Sequence, residues 1–410
     1  MPAFPQELCE IVISLCDQSS LAACSLVCKN WVPSSRIEFF RNLRPLVISP
    51  SSLPKVLMLV DNPVSTICPY ITSLVLEDWG PLDSNSKSFY ALLPRITGRM
   101  TAVKSLVFNG IAWEEMADGA LNFLVFYFKN TLKTIELREC PYRTFDSVTD
   151  LVESFPLLEK LSLHRLVPSS RTVPFDSRSL ERKHSPQLTT ARHLRSIHAL
   201  GSIKSELVRW IMKNSIIIDE VSFGPIFPNE AHIVGKFLKT LKNNLKHLTL
   251  SGESVPHIHR EICLKHNQQL TSIHFANLML HRRSSEGRAS MNWFIHLLHA
   301  IRSPSVRSLK LSVCVHSQSV ETLEIIDWFA FSTCLDKPQF VCLTSVTFSF
   351  SRSRHKDEGE RWLNGYAEMA ESFVRESLPQ FRDTAILDFD FGCPGDPPDV
   401  ETVDSDDDFP

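Results

Sequence analysis

One short pattern constrains this chain more than any other: an apolar residue followed at +3 and +5 by two more. It reads Ile71-Leu74-Leu76, Val103-Leu106-Phe108, Leu132-Ile135-Leu137, Leu158-Leu161-Leu163 and Leu194-Ile197-Ala199. It continues as Ile218-Val221-Phe223, Leu245-Leu248-Leu250, Leu270-Ile273-Phe275, Val306-Leu309-Leu311 and Leu343-Val346-Phe348. That makes ten copies spaced by 24 to 37 residues, with Leu387 and Phe389 as a weak last one. Within each copy the last two apolar positions flank a single residue, the period of a short half-buried strand. Between copies the apolar spacing turns helical: Ile203, Leu207, Trp210 and Ile211, then Trp293, Leu297, Leu298 and Ile301, then Leu323, Ile326 and Phe329 to Ala330. A strand and a helix per repeat at this period predict an α/β solenoid, with parallel strands lining the concave face and helices outside. One repeat cannot bury its apolar face alone, so neighbours must stack and share a core.

The length of 410 residues would otherwise imply two or more ordinary domains, a count that repeat folds evade. Lys and Arg number 43 against 46 Asp and Glu, so overall charge implies no nucleic-acid partner. The eleven cysteines are scattered, many in apolar stretches, and the N-terminus lacks a basic-then-apolar secretory signal. The longest apolar run, Leu121 to Phe128, is far short of a membrane span of about 20 residues. These features lead us to expect a soluble protein of the cytoplasm or nucleus with reduced thiols.

The first forty residues read differently. Pro5 suits the first turn of a helix, and Leu8, Ile11 and Leu15 follow as an apolar stripe. Asp17 to Ser20 favour a turn and a helix N-cap, after which Leu21, Cys24 and Cys28 form a second stripe, with Val27 and Trp31 one turn apart. Pro33, Ser34 and Ser35 break the chain again before Arg36 to Leu43. Three helices this short bury too little surface to be secure alone.

The order of residues adds what periodicity does not. Pro5-x-Glu7-Leu8, an aliphatic stripe, and then Leu26-Val27-Cys28-Lys29-x-Trp31 resemble the F-box, over about a tenth of the chain. Phe4 stands where the family usually has Leu. The resemblance implies a trihelical module that docks on the Skp adaptor of a cullin-RING ubiquitin ligase. On this sequence the docking positions it implies are Pro5, Leu8, Ile11, Leu15, Leu21, Ala22, Leu26, Val27, Cys28 and Trp31. The plainer reading of the same stripes is a helical cap packed on the downstream domain. Cys9, Cys16, Cys24 and Cys28 lack the paired short spacing of a structural zinc site, and we read them as packing residues.

The body of the chain resembles the irregular leucine-rich repeats that often follow an F-box, particularly in fungal proteins. The family consensus places Asn or Cys three residues past the last strand apolar; Cys140 and Cys314 comply, whereas Trp79, Ile111, Leu166, Ile226 and Leu278 do not. Strand residues expected on the concave face include Glu77, Asn109, Glu136, Arg138, Ser162, His164, His198, Thr249, Ser251, His274, Lys310, Ser312, Thr347 and Ser349. From these we expect Glu136, Arg138, His164, His198, His274 and Lys310 to meet a target protein, although any solvated sheet face has a similar composition. Insertions after Leu163, Phe275 and Phe348 fall on one edge of a solenoid, and two are basic, with Arg282 and Arg283 in the second. They read either as a rim for an acidic or phosphorylated segment or as three solvated loops.

The residues carry no sign of enzyme chemistry. There is no Gly-rich phosphate loop, no Gly-x-Ser-x-Gly elbow and no recognisable nucleophilic cysteine motif. His257, His259, Cys263 and His266 are the nearest thing to a ligand set, the last three at helical spacing, and a solvated helix face explains them as well. No cofactor, metal or membrane is expected.

Taken together, the expected organisation is an F-box-like helical module at 1–45, a connector at 46–65, a repeat solenoid of ten to eleven units at 66–392 and a disordered acidic tail at 393–410. The function this implies is that of a non-catalytic substrate receptor, monomeric within an SCF-type ligase and linked through the Skp adaptor to a cullin, with an unidentified protein target. The alternative is a repeat scaffold that engages no ligase.

Overall fold

The computed structural model describes residues 5–41, 45–62, 67–78, 84–113, 116, 119–169, 193–251, 258–280, 292–315, 320–352, 359–381 and 384–391. It comprises two compact units, Met1–Ile218 and Asp219–Pro410.

Unit 1 begins with three helices, α1 (Gln6–Ser14), α2 (Gln18–Val27) and α3 (Trp31–Arg41). Asp17 caps α2 by accepting from the Ser20 amide at 2.7 Å, as short polar residues there lead one to expect. The expected break at Pro33 does not occur, because Pro33 falls in the first turn of α3, where a missing N–H removes no intrahelical bond. Strands and helices then alternate: β1 (Leu46–Ile48), α4 (Leu53–Asp61), β2 (Ser73–Glu77), α5 (Ser84–Thr97), β3 (Ser105–Asn109), α6 (Ala120–Phe128), β4 (Thr134–Arg138), α7 (Phe145–Glu153), β5 (Lys160–His164), β6 (Ser196–Leu200) and α8 (Lys204–Lys213). The strands pair in parallel in that order. The stretch expected as a connector therefore holds a strand and a helix of its own. Leu43, Leu46 and Ile48 carry the +3, +5 spacing, hidden by their position directly behind the helices.

Unit 2 repeats the scheme with β7 (Glu220–Pro225), α9 (Pro228–Leu241), β8 (His247–Ser251), α10 (Ile258–Glu261), β9 (Ser272–Leu280), α11 (Trp293–Ala300), β10 (Ser308–Val315), α12 (Trp328–Leu335), β11 (Ser345–Arg352), α13 (Gly359–Ser377) and β12 (Leu387–Phe391). Its strands are parallel throughout as well.

The repeat pattern is the core. All three apolar positions in each of the ten copies are buried, none more than 6% exposed. Burying them in register leaves the backbone to close the stack. At eight of the strands the carbonyl just before the strand accepts two amides from the next repeat, as when Lys104 and Ser105 donate to Thr72 at 2.8 and 3.1 Å, and Lys133 and Thr134 donate to Lys104 at 2.8 and 2.9 Å. The same bifurcated contact recurs in unit 2, from Thr271 and Ser272 to Lys246 and from Arg307 and Ser308 to Thr271. Parallel strands have no edge-to-edge turn to set their register, so this column and the buried triplets set it together.

A second column lies just past the strands of unit 1. Gly110, Glu139, Arg165 and Gly201, each the first residue after its strand, adopt left-handed backbone with φ of 69, 50, 49 and 94°. The first three donate their amides to the last strand residue of the next repeat, at 2.9, 2.8 and 3.1 Å. Glycine carries this conformation freely, whereas Glu139 and Arg165 hold it against their own Cβ atoms. Cys140, one residue beyond, bonds the neighbouring repeat through its side chain: its thiol donates to the Phe108 carbonyl of the preceding repeat at 3.3 Å. In unit 2, polar side chains ahead of two strands also bond the backbone of the preceding repeat. Asn267 donates to the Leu238 carbonyl at 2.8 Å, and Ser303 to the carbonyls of Gln268 and Leu270 at 2.9 and 2.7 Å.

Two expected helices are shorter than their spacing suggests. The segment from Leu323 to Ala330 is a 3-10 turn at Val320–Ile325 followed by a restart at Trp328, which Asp327 caps by accepting from the Ala330 amide. Phe329 then points outward, 83% exposed. The histidine-bearing stretch ends as a helix at Glu261 and resumes as a 3-10 turn at Leu264, so His259, Cys263 and His266 do not share one helix face.

Candidate functional site

Two surfaces carry the residues singled out by the sequence: the three N-terminal helices and the strand faces of the sheet.

The helices bury little. Cys9 and Ile13 of α1 and Leu21 of α2 form their interior, with Cys16, Cys24 and Trp31 half-buried beside them. Eight of the ten expected docking residues, Pro5, Leu8, Ile11, Leu15, Ala22, Leu26, Val27 and Cys28, are exposed. Leu26 is 86% exposed. Val12 and Ile37, not singled out by sequence, are exposed as well. Leu21 is the correction: at 1% exposure it belongs to the interior and supports the row without presenting itself. Helical spacing alone could not separate the two faces, because α1 carries apolar residues at Leu8, Cys9, Ile11, Val12 and Ile13, nearly all round, with Leu15 directly after it. Cys28 also leaves the stripe shared with Cys24, since α2 ends at Val27 and Cys28 is extended.

On the strand face of unit 1 the expected residues meet. Glu136 on β4 accepts from Arg138 Nε at 2.7 Å with one oxygen, and the same oxygen accepts from His164 Nε2 of β5 at 3.1 Å. The His164 ring meets that of His198 on β6 edge to face, with centroids 4.6 Å apart. Burial works to raise the Glu136 carboxyl, but hydrogen bonds from His164 and Arg138 overcome it and hold the group down at about 2. A carboxylate only accepts, so His164 carries its proton on Nε2, and its Nδ1 is buried with no hydrogen-bond partner among the described residues. His164 and Ser162 are more enclosed than a simple strand face implies, both below a tenth exposed. Glu77 and Asn109 continue the polar row, with Asn109 Nδ2 donating to Glu77 at 3.1 Å.

Unit 2 presents a row of hydroxyls. His274 Nε2 is hydrogen-bonded to Ser312 Oγ at 2.8 Å. Burial, with the Lys310 charge second, pushes the His274 imidazole down to about 4, so it is neutral at physiological pH. Lys310 Nζ lies 3.8 Å from Asp390, which also accepts from Ser349 at 3.1 Å. Ser251, expected to be exposed, is buried.

Arg282 and Arg283, His257, Trp79, most of the first insertion and the acidic tail lie outside the described residues. Among the described residues no group of three or more His, Cys, Asp or Glu is arranged to hold a metal ion. No helix among them is long and apolar enough to cross a membrane.

These surfaces define, at the level of fold, an α/β protein of stacked strand–helix repeats in two units, with a short helical set at the start. Neither a protein-family model nor a curated protein matches the sequence. Among solved structures the chain is similar to a crystal structure of a Bacteroides fragilis protein, 11% identical over 63% of this chain and 72% of that one, with a TM-score of 0.34.

Proposed function

We propose that the chain is a non-catalytic substrate receptor: the N-terminal helices dock on the Skp adaptor of an SCF-type cullin-RING ubiquitin ligase, and the repeats hold a target protein. The observation that supports docking is the inverted burial of the helical set. Cys9, Ile13 and Leu21 face in, while Leu8, Ile11, Val12, Leu15, Leu26 and Val27 face solvent. Soluble monomers seldom leave so many large apolar side chains on one small module unless a partner covers them. Eight of the ten positions that the F-box resemblance assigns to the adaptor are exposed. The repeats behind them offer strand faces with paired charges in unit 1 and hydroxyls in unit 2, and solenoids commonly bind proteins through such a face.

The test is capture of the Skp adaptor by the full-length chain on co-expression. Leu26→Asp should abolish capture while leaving thermal unfolding unchanged, since Leu26 packs against little in the free protein. If the wild-type chain captures no adaptor, the repeats stand as an interaction scaffold outside the ligase.

A further inference from the structure

We propose that Cys16 and Cys24 are a redox-closable thiol pair, joined by a hydroperoxide oxidant into a disulfide that weakens docking of the N-terminal helices. The docking clause rests on the function proposed above. The pair itself does not.

The two sulfurs lie 4.0 Å apart, one on the bend between α1 and α2 and the other within α2. Both residues are half-buried, in contact with each other yet within reach of a small oxidant, whereas Cys9, Cys68, Cys140, Cys314 and Cys334 are buried. A disulfide bond is about 2 Å long, so the sulfurs must close roughly half their separation. Cys24 is fixed by the regular hydrogen bonding of α2. Cys16 sits where the chain turns, held by its amide to the Ile13 carbonyl at 3.1 Å and by its thiol to the Val12 carbonyl at 3.3 Å. The bend therefore moves. It carries Leu15, exposed in the docking row, on one side of Cys16 and Asp17, the cap of α2, on the other.

In this scheme the first attack falls to Cys16, which sits on the bend, and the resolving role to Cys24 within α2, whose thiol is raised by burial and then by the neighbouring Cys16 thiol. The Cys16 thiolate attacks one peroxide oxygen, the O–O bond breaks, and the released hydroxide takes up the thiol proton as water. Cys24 sulfur then attacks the resulting sulfenic acid, forming the S–S bond and expelling a second water. Two thiols are oxidised and one hydroperoxide is reduced. A dithiol reductant reverses the step.

The experiment treats the full-length chain with hydrogen peroxide and reads two quantities. A non-reducing peptide map should show Cys16 joined to Cys24, lost on Cys16→Ser and on dithiothreitol. Affinity for the Skp adaptor should fall by roughly tenfold on oxidation and recover on reduction, with no change in Cys16→Ser. A map lacking the Cys16–Cys24 link overturns the pair. A clean link with unchanged affinity overturns its control of docking. If the reduced chain does not bind the adaptor at all, the docking reading has failed, and the peptide map alone still decides the thiol pair.

Discussion

Glu136 and His164, on adjacent strands and 28 positions apart in sequence, share a hydrogen bond of 3.1 Å beneath the rim of His198. The bond ties two repeats together through side chains on the strand face.

This pairing makes unit 1 sensitive to acid. The folded Glu136 carboxyl sits at about 2 against an ordinary 4.5, so its stabilisation is fully present above the ordinary value and is lost as pH falls from there toward the folded one. After allowance for partial solvent screening the effect is about 1–2 kcal/mol. Urea unfolding across that acid range should show it in the wild type, and Glu136→Gln should flatten the dependence. An unchanged slope in the variant would place the acid-labile group elsewhere.

Leu21 and Leu26 belong to one helix and should behave in opposite ways. Leu21→Ala leaves a cavity under α1 and α2 and should cost about 2–3 kcal/mol. Leu26→Ala removes surface already in water and should change stability by less than about 0.5 kcal/mol. Circular dichroism melts of the two variants separate the interior from the presented row.

Two glycines resist replacement by alanine, one for lack of space and one for its backbone conformation. A Cβ on Gly235 of α9 would sit 2.1 Å from the Glu261 carbonyl oxygen, backbone against backbone, so Gly235→Ala should cost about 2 kcal/mol or more. Gly201 has room for a Cβ, 3.4 Å from Arg165 Cα, but its φ of 94° strains any L side chain, so Gly201→Ala should cost about 1–2 kcal/mol. Denaturant midpoints measured at constant slope test both.

Thiol alkylation should sort the cysteines by burial. Cys28 and Cys342 are exposed and should react first. Burial pushes Cys140 up to about 12 and Cys334 up to about 11, so neither supplies a thiolate in the folded chain at neutral pH. Mass spectrometry after brief treatment with iodoacetamide should find both unlabelled until denaturant is added. Early labelling of Cys140 would mean its bond to the Phe108 carbonyl opens readily.

The repeats were legible because apolar periodicity is a local property. Each triplet, from Ile71-Leu74-Leu76 to Leu343-Val346-Phe348, declares a strand within six residues, and all of them are buried. The copy at Leu43-Leu46-Ile48 has no such clarity, because helical apolar spacing runs directly up to it. Other features had no local signal. Which of the apolar residues of α1 face outward depends on how α2 and α3 pack against it, and Leu21 was misread for the same reason. Pro33 looks like a break until its place in the first turn of α3 is known.

The sequence by itself determined the alternation of strand and helix, the buried triplets and the presence of a separate helical start, because each follows from spacing along one stretch of chain. Only the tertiary structure decided that Glu136 meets His164, that Gly110, Glu139, Arg165 and Gly201 form one left-handed column, and that Cys16 touches Cys24. Those relations run between segments. Repeat lengths vary from 24 to 37 residues, so no fixed offset in sequence points from a residue to its neighbour in space. Parallel strand register, set by the whole stack, makes that choice.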